Sequence, residues 1–125
     1  MSNFEKNLEQ ALNNAKRLTG KILIDGKLIS AQTNNKIPVL NPSTGDNIGS
    51  APQCNKDDVN IAVESAHKAF QKWKKIPARE RGKMVAAGAK RLEERKSEIE
   101  TLLSLDTGNA LRTQAIPETA ASIEL

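Results

Sequence analysis

Cysteine occurs once in these 125 residues, at Cys54, and histidine once, at His67. A single cysteine excludes an internal disulfide framework and a multi-cysteine metal site, and it fits a reducing compartment, so a cytoplasmic location is expected. A single histidine leaves neither a His cluster nor a Cys/His ligand set of adequate spacing. Tyrosine is absent, and the only aromatics are Phe4, Phe70 and Trp73, which removes the stacking platform of a single-strand nucleic-acid binder. No apolar run approaches the ~20 residues needed to cross a bilayer, and the first residues carry no apolar signal core, so no membrane partner is expected. Neither G-x-G-x-x-G nor a Walker spacing occurs, which leaves direct nucleotide binding by this segment without a motif.

What is present is enough for one ordinary domain, which should bury roughly two thirds of its unfolded surface. Much of the 38% apolar content is alanine, so a stand-alone core would be weakly packed. The net charge of +4 is uneven. Between Lys56 and Lys96, 12 Lys or Arg stand against 6 Asp or Glu, an excess of +6 that leaves −2 for the rest. Solvated helix faces account for such a bias, and nucleic acid is not the expected partner; a nucleic-acid-binding helical protein stands only as the weakest alternative.

Ser2-Asn3-Phe4-Glu5 has capping-box spacing, and Phe4, Leu8, Leu12, Ala15 and Leu18 then recur at helical intervals, predicting an amphipathic helix over residues 1–20 that Gly20 ends. From residue 21 to 52 the pattern becomes short apolar runs broken by Asp25-Gly26 and Asn34-Asn35, which reads as an antiparallel strand meander. Within it, Asn41-Pro42 opens a turn in which Gly45 supplies a positive φ. Pro42 also disqualifies Asn41-Pro42-Ser43 as a glycosylation sequon.

Residues 55–125 read as helices. Asn55 is the expected N-cap of the first, with Val59, Ala62, Val63, Ala66, Phe70 and Trp73 on one face and Lys72, Lys74 and Lys75 near the other end. Pro77 opens the next, where Gly88 would let another backbone approach. Ser97-Glu98-Ile99-Glu100 has capping-box spacing for a short helix ended by Gly108, and Pro117 begins a last one that carries no C-terminal cap signal.

Isolated residues that invite catalytic readings fare poorly. Cys54 follows a strand and precedes a helix cap, with no His, Lys or motif to lower its pKa, and is a turn or packing residue. Ser65-Ala66-His67-Lys68 has the Ser-x-x-Lys form of penicillin-binding enzymes, but the companion Ser-Asp-Asn and Lys-Thr-Gly motifs are missing.

The order of pieces is more telling. A strand region from Leu23 to Ser30, then Asn41-Pro42-Ser43-Thr44-Gly45, then Ala66, Ala69-Phe70 and Trp73, resembles the opening of an aldehyde dehydrogenase. Pro77-Ala78-Arg79-Glu80-Arg81, Leu92-Glu93-Glu94-Arg95 and Asp106-Thr107-Gly108-Asn109 continue in register, so the resemblance covers about residues 23–125. It implies an α/β fold: the N-terminal part of a Rossmann-type NAD(P)-binding domain, strands followed by helices, incomplete at the C-terminal side. The reaction implied for the full-length family is oxidation of an aldehyde substrate to a carboxylic acid with NAD or NADP. A Cys thiolate attacks the carbonyl, hydride passes to the nicotinamide, and a Glu-activated water releases the acid.

The family's Pro-Trp-Asn, Gly-rich cofactor, Glu-base and Gly-Gln-x-Cys segments have no match here. No catalytic or cofactor-binding residue is therefore assigned, and the chain alone is expected to be inactive and to bind no cofactor. The one site residue the resemblance carries over is Asp106, facing the backbone near Asn41-Pro42 as a ligand of a monovalent cation; the plainer reading is a cap of the turn at Thr107-Gly108. The expected partners are a homo-oligomer or a second chain supplying the missing domains, and a partner-dependent binding module or split-enzyme subunit stands as the alternative function.

Overall fold

The computed structural model describes residues 3–124, with Phe4 described by its backbone alone. Ser2 of the expected N-terminal capping box, and Leu125, lie outside the described residues. The order is α1 (Asn3–Leu18), β1 (Lys21–Ile24), β2 (Lys27–Ser30), β3 (Lys36–Leu40), β4 (Asn47–Pro52), α2 (Lys56–Trp73), α3 (Ala78–Glu94), α4 (Lys96–Thr107), a π-helical turn (Leu111–Ala115) and α5 (Ile116–Glu124).

Helix α1 lies on α4 and β4, and its apolar stripe explains why: Ala11 is fully buried while Leu8, Leu12 and Ala15 are half-buried. Gly20 closes the helix at φ +67, and its N–H donates to Ser50 O at 2.9 Å, tying the end of α1 to β4. The strands do not form one continuous meander. They make two separate antiparallel hairpins, β1–β2 and β3–β4. The first turns on Asp25-Gly26, both at positive φ (51 and 72), between the paired Ile24 and Lys27. Two successive positive φ values match the right-handed twist of a tight hairpin, which is what isolates this pair as a local unit.

The Asn55 cap forms as expected. Its side chain accepts from the Asp58 N–H, and the Asp58 carboxylate in turn accepts from the Asn55 N–H at 3.1 Å. The capping box expected at Ser97 does not form. Helix α4 begins at Lys96 after a single non-helical residue, Arg95, so Ser97 is already inside the helix and its carbonyl accepts from Thr101 Oγ1. Among the described residues the expected close approach at Gly88 is absent too, since none outside its own helix and chain neighbours comes within 4 Å of a Cβ built there.

The core is small. Among the described residues no large side chain is fully buried, and the buried apolar residues are Ala11, Ile48 and Ala115. On α2 the half-buried positions are Ala62, Ser65 and Gln71; Ala62 and Ser65 share a side with buried Asp58, and among the described residues β1 is the element that α2 touches most. Val59, Val63 and Phe70 lie roughly a quarter turn away at about 100° per residue and are all more than half exposed. Of the residues that helical periodicity sets on one face, Ala62 is half-buried while Val59, Val63 and Phe70 stay exposed, with Lys74 Nζ 5.6 Å from the Phe70 ring centroid.

Candidate functional site

The end of α4 meets the turn between β3 and β4. In that turn, Asn41 Oδ1 accepts from Ser43 N–H (2.9 Å), Asn41 O accepts from Gly45 N–H (2.8 Å) and Asn41 N–H donates to Asp46 O (2.8 Å). Gly45 sits at φ +78, as the turn requires. Gly108 ends α4 at φ +74, and a Cβ added there would stand 2.8 Å from Pro42 Cγ. Glycine is thus needed at 108 for both conformation and space, and this contact brings the Asp106-Thr107-Gly108 corner to Pro42.

Asp106 is exposed in the last turn of α4, and its side chain has no hydrogen-bond or ion-pair partner among the described residues. The turn cap expected of it is supplied by its neighbours. Thr107 Oγ1 donates to Leu103 O (2.7 Å) and accepts from Asn109 N–H (3.2 Å), while Ser104 Oγ donates to Asn109 O (2.7 Å). A carboxylate at a helix C-terminus opposes the helix dipole, and no basic residue stands in that last turn to offset it. This electrostatic position suits a nearby cation. The donor set is partial: Asp106 offers carboxylate oxygens, the Asn41 carbonyl already accepts two N–H groups, and no group of three His, Cys, Asp or Glu fit for a metal occurs among the described residues. Beside Asp106 runs a cleft of about 510 Å³ between α1, β3–β4 and α4, walled by Leu18, Val39, Ile48, Ile99 and Leu103, with Lys21 as its cationic lining residue.

The other sequence candidates are scattered. Cys54 is exposed and free. His67 shares a 3.0 Å hydrogen bond with the Gln71 side chain on the same helix. Thirteen residues at 1.5 Å rise put His67 roughly 20 Å along α2 from Cys54, beyond any proton transfer between them. Lys68 turns to Glu64 (4.0 Å, both exposed), so the Ser65-x-x-Lys68 spacing builds no activated serine.

Two buried acids escape a reading of the sequence. Asp58, 3% exposed, accepts from the Gln32 N–H at 3.0 Å besides capping α2. Glu98, 7% exposed, is held in a fork by Arg95, with Nε to Oε2 at 3.0 Å and the terminal guanidinium nitrogen to Oε1 at 2.6 Å. Hydrogen bonding from Arg95 pulls the Glu98 carboxyl below the usual carboxylate range against the opposing effect of burial, and the Arg95 charge, Asn14 and Arg17 add to the pull. A charge at i next to an opposite charge at i+3 is the signal in the sequence; the reach to α1 is not visible there.

The sequence model of the aldehyde dehydrogenase family matches residues 28–125. The chain is 38% identical over 96 residues to aminoaldehyde dehydrogenase 2, peroxisomal, of Malus domestica, covering 73% of this chain and 19% of that protein. It is 34% identical over 110 residues to phenylacetaldehyde dehydrogenase of Pseudomonas fluorescens, covering 86% and 22%. Its fold superposes on HpcC of Thermus thermophilus with a TM-score of 0.88 at 26% identity, covering 95% of this chain and 23% of that one. The betaine aldehyde dehydrogenase of Staphylococcus aureus, solved in complex with NAD+, follows at 0.77 and 28%, covering 94% and 23%. The chain thus spans about a fifth of the length of the curated relatives it matches. With the family pattern running from β2 through α5, and the fold of its solved members retained, this chain belongs to the aldehyde dehydrogenase family.

Proposed function

We propose that residues 1–125 form the opening part of the nucleotide-binding domain of an NAD(P)-dependent aldehyde dehydrogenase and are inactive alone. The observation that carries this reading is the retained fold, which accounts for under a quarter of the matching solved chains. Aldehyde oxidation in the family needs an activated cysteine, a carboxylate base and a nicotinamide cofactor. Here the lone Cys54 is free and exposed on the linker before α2, and the family's Glu-base and Gly-Gln-x-Cys segments have no match, so oxidation and NAD or NADP binding belong to the whole protein. This segment acts as scaffold: α1 lies between α4 and β4, and Gly108 at the end of α4 packs against Pro42 in the hairpin turn.

Asp106 is proposed to supply one oxygen ligand to a monovalent cation beside the Asn41 turn, the remaining ligands being carbonyl or water oxygens. No helix among the described residues is long and apolar enough to cross a membrane. A cytoplasmic location is proposed, although named relatives include peroxisomal and chloroplastic proteins. Assembly as a homo-oligomer is proposed for the whole protein.

The test is aldehyde-dependent reduction of NAD and NADP by the purified chain, followed by absorbance of the reduced nicotinamide with an aromatic and an aliphatic aldehyde. The reading expects no rate above buffer. Turnover by the chain alone would overturn it.

A further inference from the structure

We infer that the pocket where Lys21 and Lys36 meet, between the first strands of the two hairpins, is a binding site for a phosphate group, carried on a small ester or present as the free ion. Its residues are not those of the Asp106 corner, and it stands independently of the aldehyde-oxidising role proposed for the whole protein.

Lys21 opens β1 and Lys36 opens β3, and the two hairpins share no strand pairing. Gly20 joins them. Its N–H donates to Ser50 O at 2.9 Å, and the Lys36 side chain lies against its bare Cα. A Cβ at Gly20 would stand 3.0 Å from Lys36 Cε and 3.6 Å from Nζ, so glycine is what leaves room for the lysine stem. Lys21 Nζ is held by Ser30 Oγ at 2.9 Å, across the first pair of the β1–β2 ladder. A pocket of about 170 Å³ opens between the two lysines, and Asn34 and Asn35 also line it. The loop carrying these asparagines is pinned to the end of β4, with Asn35 O accepting from Gln53 N–H at 2.9 Å and Thr33 Oγ1 donating to Gln53 O.

Charge selects the ligand. No Asp or Glu lines the pocket, and neither lysine forms an ion pair among the described residues. The Asp58 carboxylate, bonded to the adjoining loop, is engaged by the Gln32 and Asn55 N–H groups and is not part of the lining. Two ammonium groups on one concavity repel each other, and a compact dianion there replaces repulsion with two charge-assisted bonds. Ser30 Oγ accepts from Lys21 and keeps its own proton to donate, and the Asn34 and Asn35 carboxamides are further donors. A carboxylate would bring a single charge, whereas a phosphate group brings two and more oxygens to share among these donors. Pockets for drug-sized ligands run to about 300–1,000 Å³, so this space suits one phosphate group and not a nucleotide.

The experiment is titration of the nitrogen-15-labelled chain with inorganic phosphate, and separately with methyl phosphate, at constant ionic strength and about pH 7.5, where the group is a dianion. The expected result is saturable shifts at the Gly20, Lys21, Ser30 and Lys36 amides. The Lys21→Gln/Lys36→Gln pair should bind at least about tenfold more weakly, Lys21→Arg/Lys36→Arg should stay within about threefold of the parent, and Lys27→Gln, at the far end of the same hairpin, should change nothing. Slow exchange of the Gly20 amide checks that the hairpins remain joined in each variant. Methyl phosphate binding as tightly as phosphate, or tighter, assigns the site to an ester; markedly weaker binding assigns it to the free ion. Unsaturable shifts spread over all the lysines would mean an adventitious ion only and overturn the site, as would a Gln pair that binds like the parent. A Gly20 amide that exchanges freely in the parent chain would remove the junction that builds the pocket, and would overturn it too.

Discussion

The carboxylate of Asp58 accepts from the backbone N–H of Gln32 at 3.0 Å across 26 residues of chain. With its second oxygen on the Asn55 N–H, one buried side chain fixes the start of α2 and the loop after β2 together. This bond is the main polar tie between α2 and the strands, since α2 makes few other contacts with them.

Asp58→Ala should therefore release both ends at once. Leaving two N–H donors without an acceptor costs about 1–3 kcal/mol locally. Hydrogen exchange read by NMR should show the Gln32 and Asn55 amides exchanging at least tenfold faster, while the amide of Ala11 in α1 changes little. Asp57→Ala, at an exposed neighbour, is the control and should change neither.

Three glycines give a graded series. Gly108→Ala meets both a positive φ and Pro42 Cγ at 2.8 Å and should lower stability by roughly 1–3 kcal/mol. Gly45→Ala faces the positive φ with nothing within 4 Å and should lose only about 1 kcal/mol. Gly88→Ala, helical and open, should raise helix content by about 0.5–1 kcal/mol of local stability. Thermal loss of far-ultraviolet dichroism orders the three, and a Gly88→Ala variant less helical than the parent would contradict the absence of a close neighbour there.

The pH dependence centres on Glu98. Its carboxyl lies below its ordinary value of 4.5 in the folded chain, chiefly through Arg95. A depressed folded-state value means that the stabilisation is fully present above about pH 4.5 and is lost as pH falls through the lower folded value. Asn14 and Arg17 of α1 also act on this carboxylate, so the loss should fall on the α1–α4 contact. Acidification below about pH 4.5 should reduce helicity in the parent chain, and Glu98→Gln should remove that component of the acid transition while weakening α1 docking at neutral pH.

Much of this architecture is legible because it is written in local chemistry. The Asn55 cap, the Asp25-Gly26 break, the helix ends at Gly20 and Gly108 and the positive φ of Gly45 each satisfy a backbone requirement within a few residues, and each appears as read. Gly108 packs against Pro42, which brings the end of α4 to the β3–β4 turn, and the cation role of Asp106 rests on the resemblance alone. What is not legible depends on neighbours. Ser97 has the right spacing for a cap, but Arg95 alone breaks the chain between α3 and α4, so the helix starts two residues too early for it. The two hairpins cannot be told from one meander, because strand partners are chosen by long-range packing. The π-helical turn at Leu111–Ala115, ahead of Pro117, leaves no mark in the apolar pattern. Gly88 suggests a close neighbour where none is present among the described residues, and α2 leaves exposed most of the face that periodicity assigns to a core.

This segment keeps the fold of an aldehyde dehydrogenase opening with only a small core of its own. The most direct measurement is near-ultraviolet circular dichroism of Trp73 during thermal unfolding of the isolated chain, alongside the far-ultraviolet signal. Strong helical dichroism with a weak tryptophan signal and a broad transition is the expected result, as for helices whose apolar faces lack their covering. A sharp transition shared by both signals, with an intact tryptophan band, would show a self-sufficient domain and contradict it.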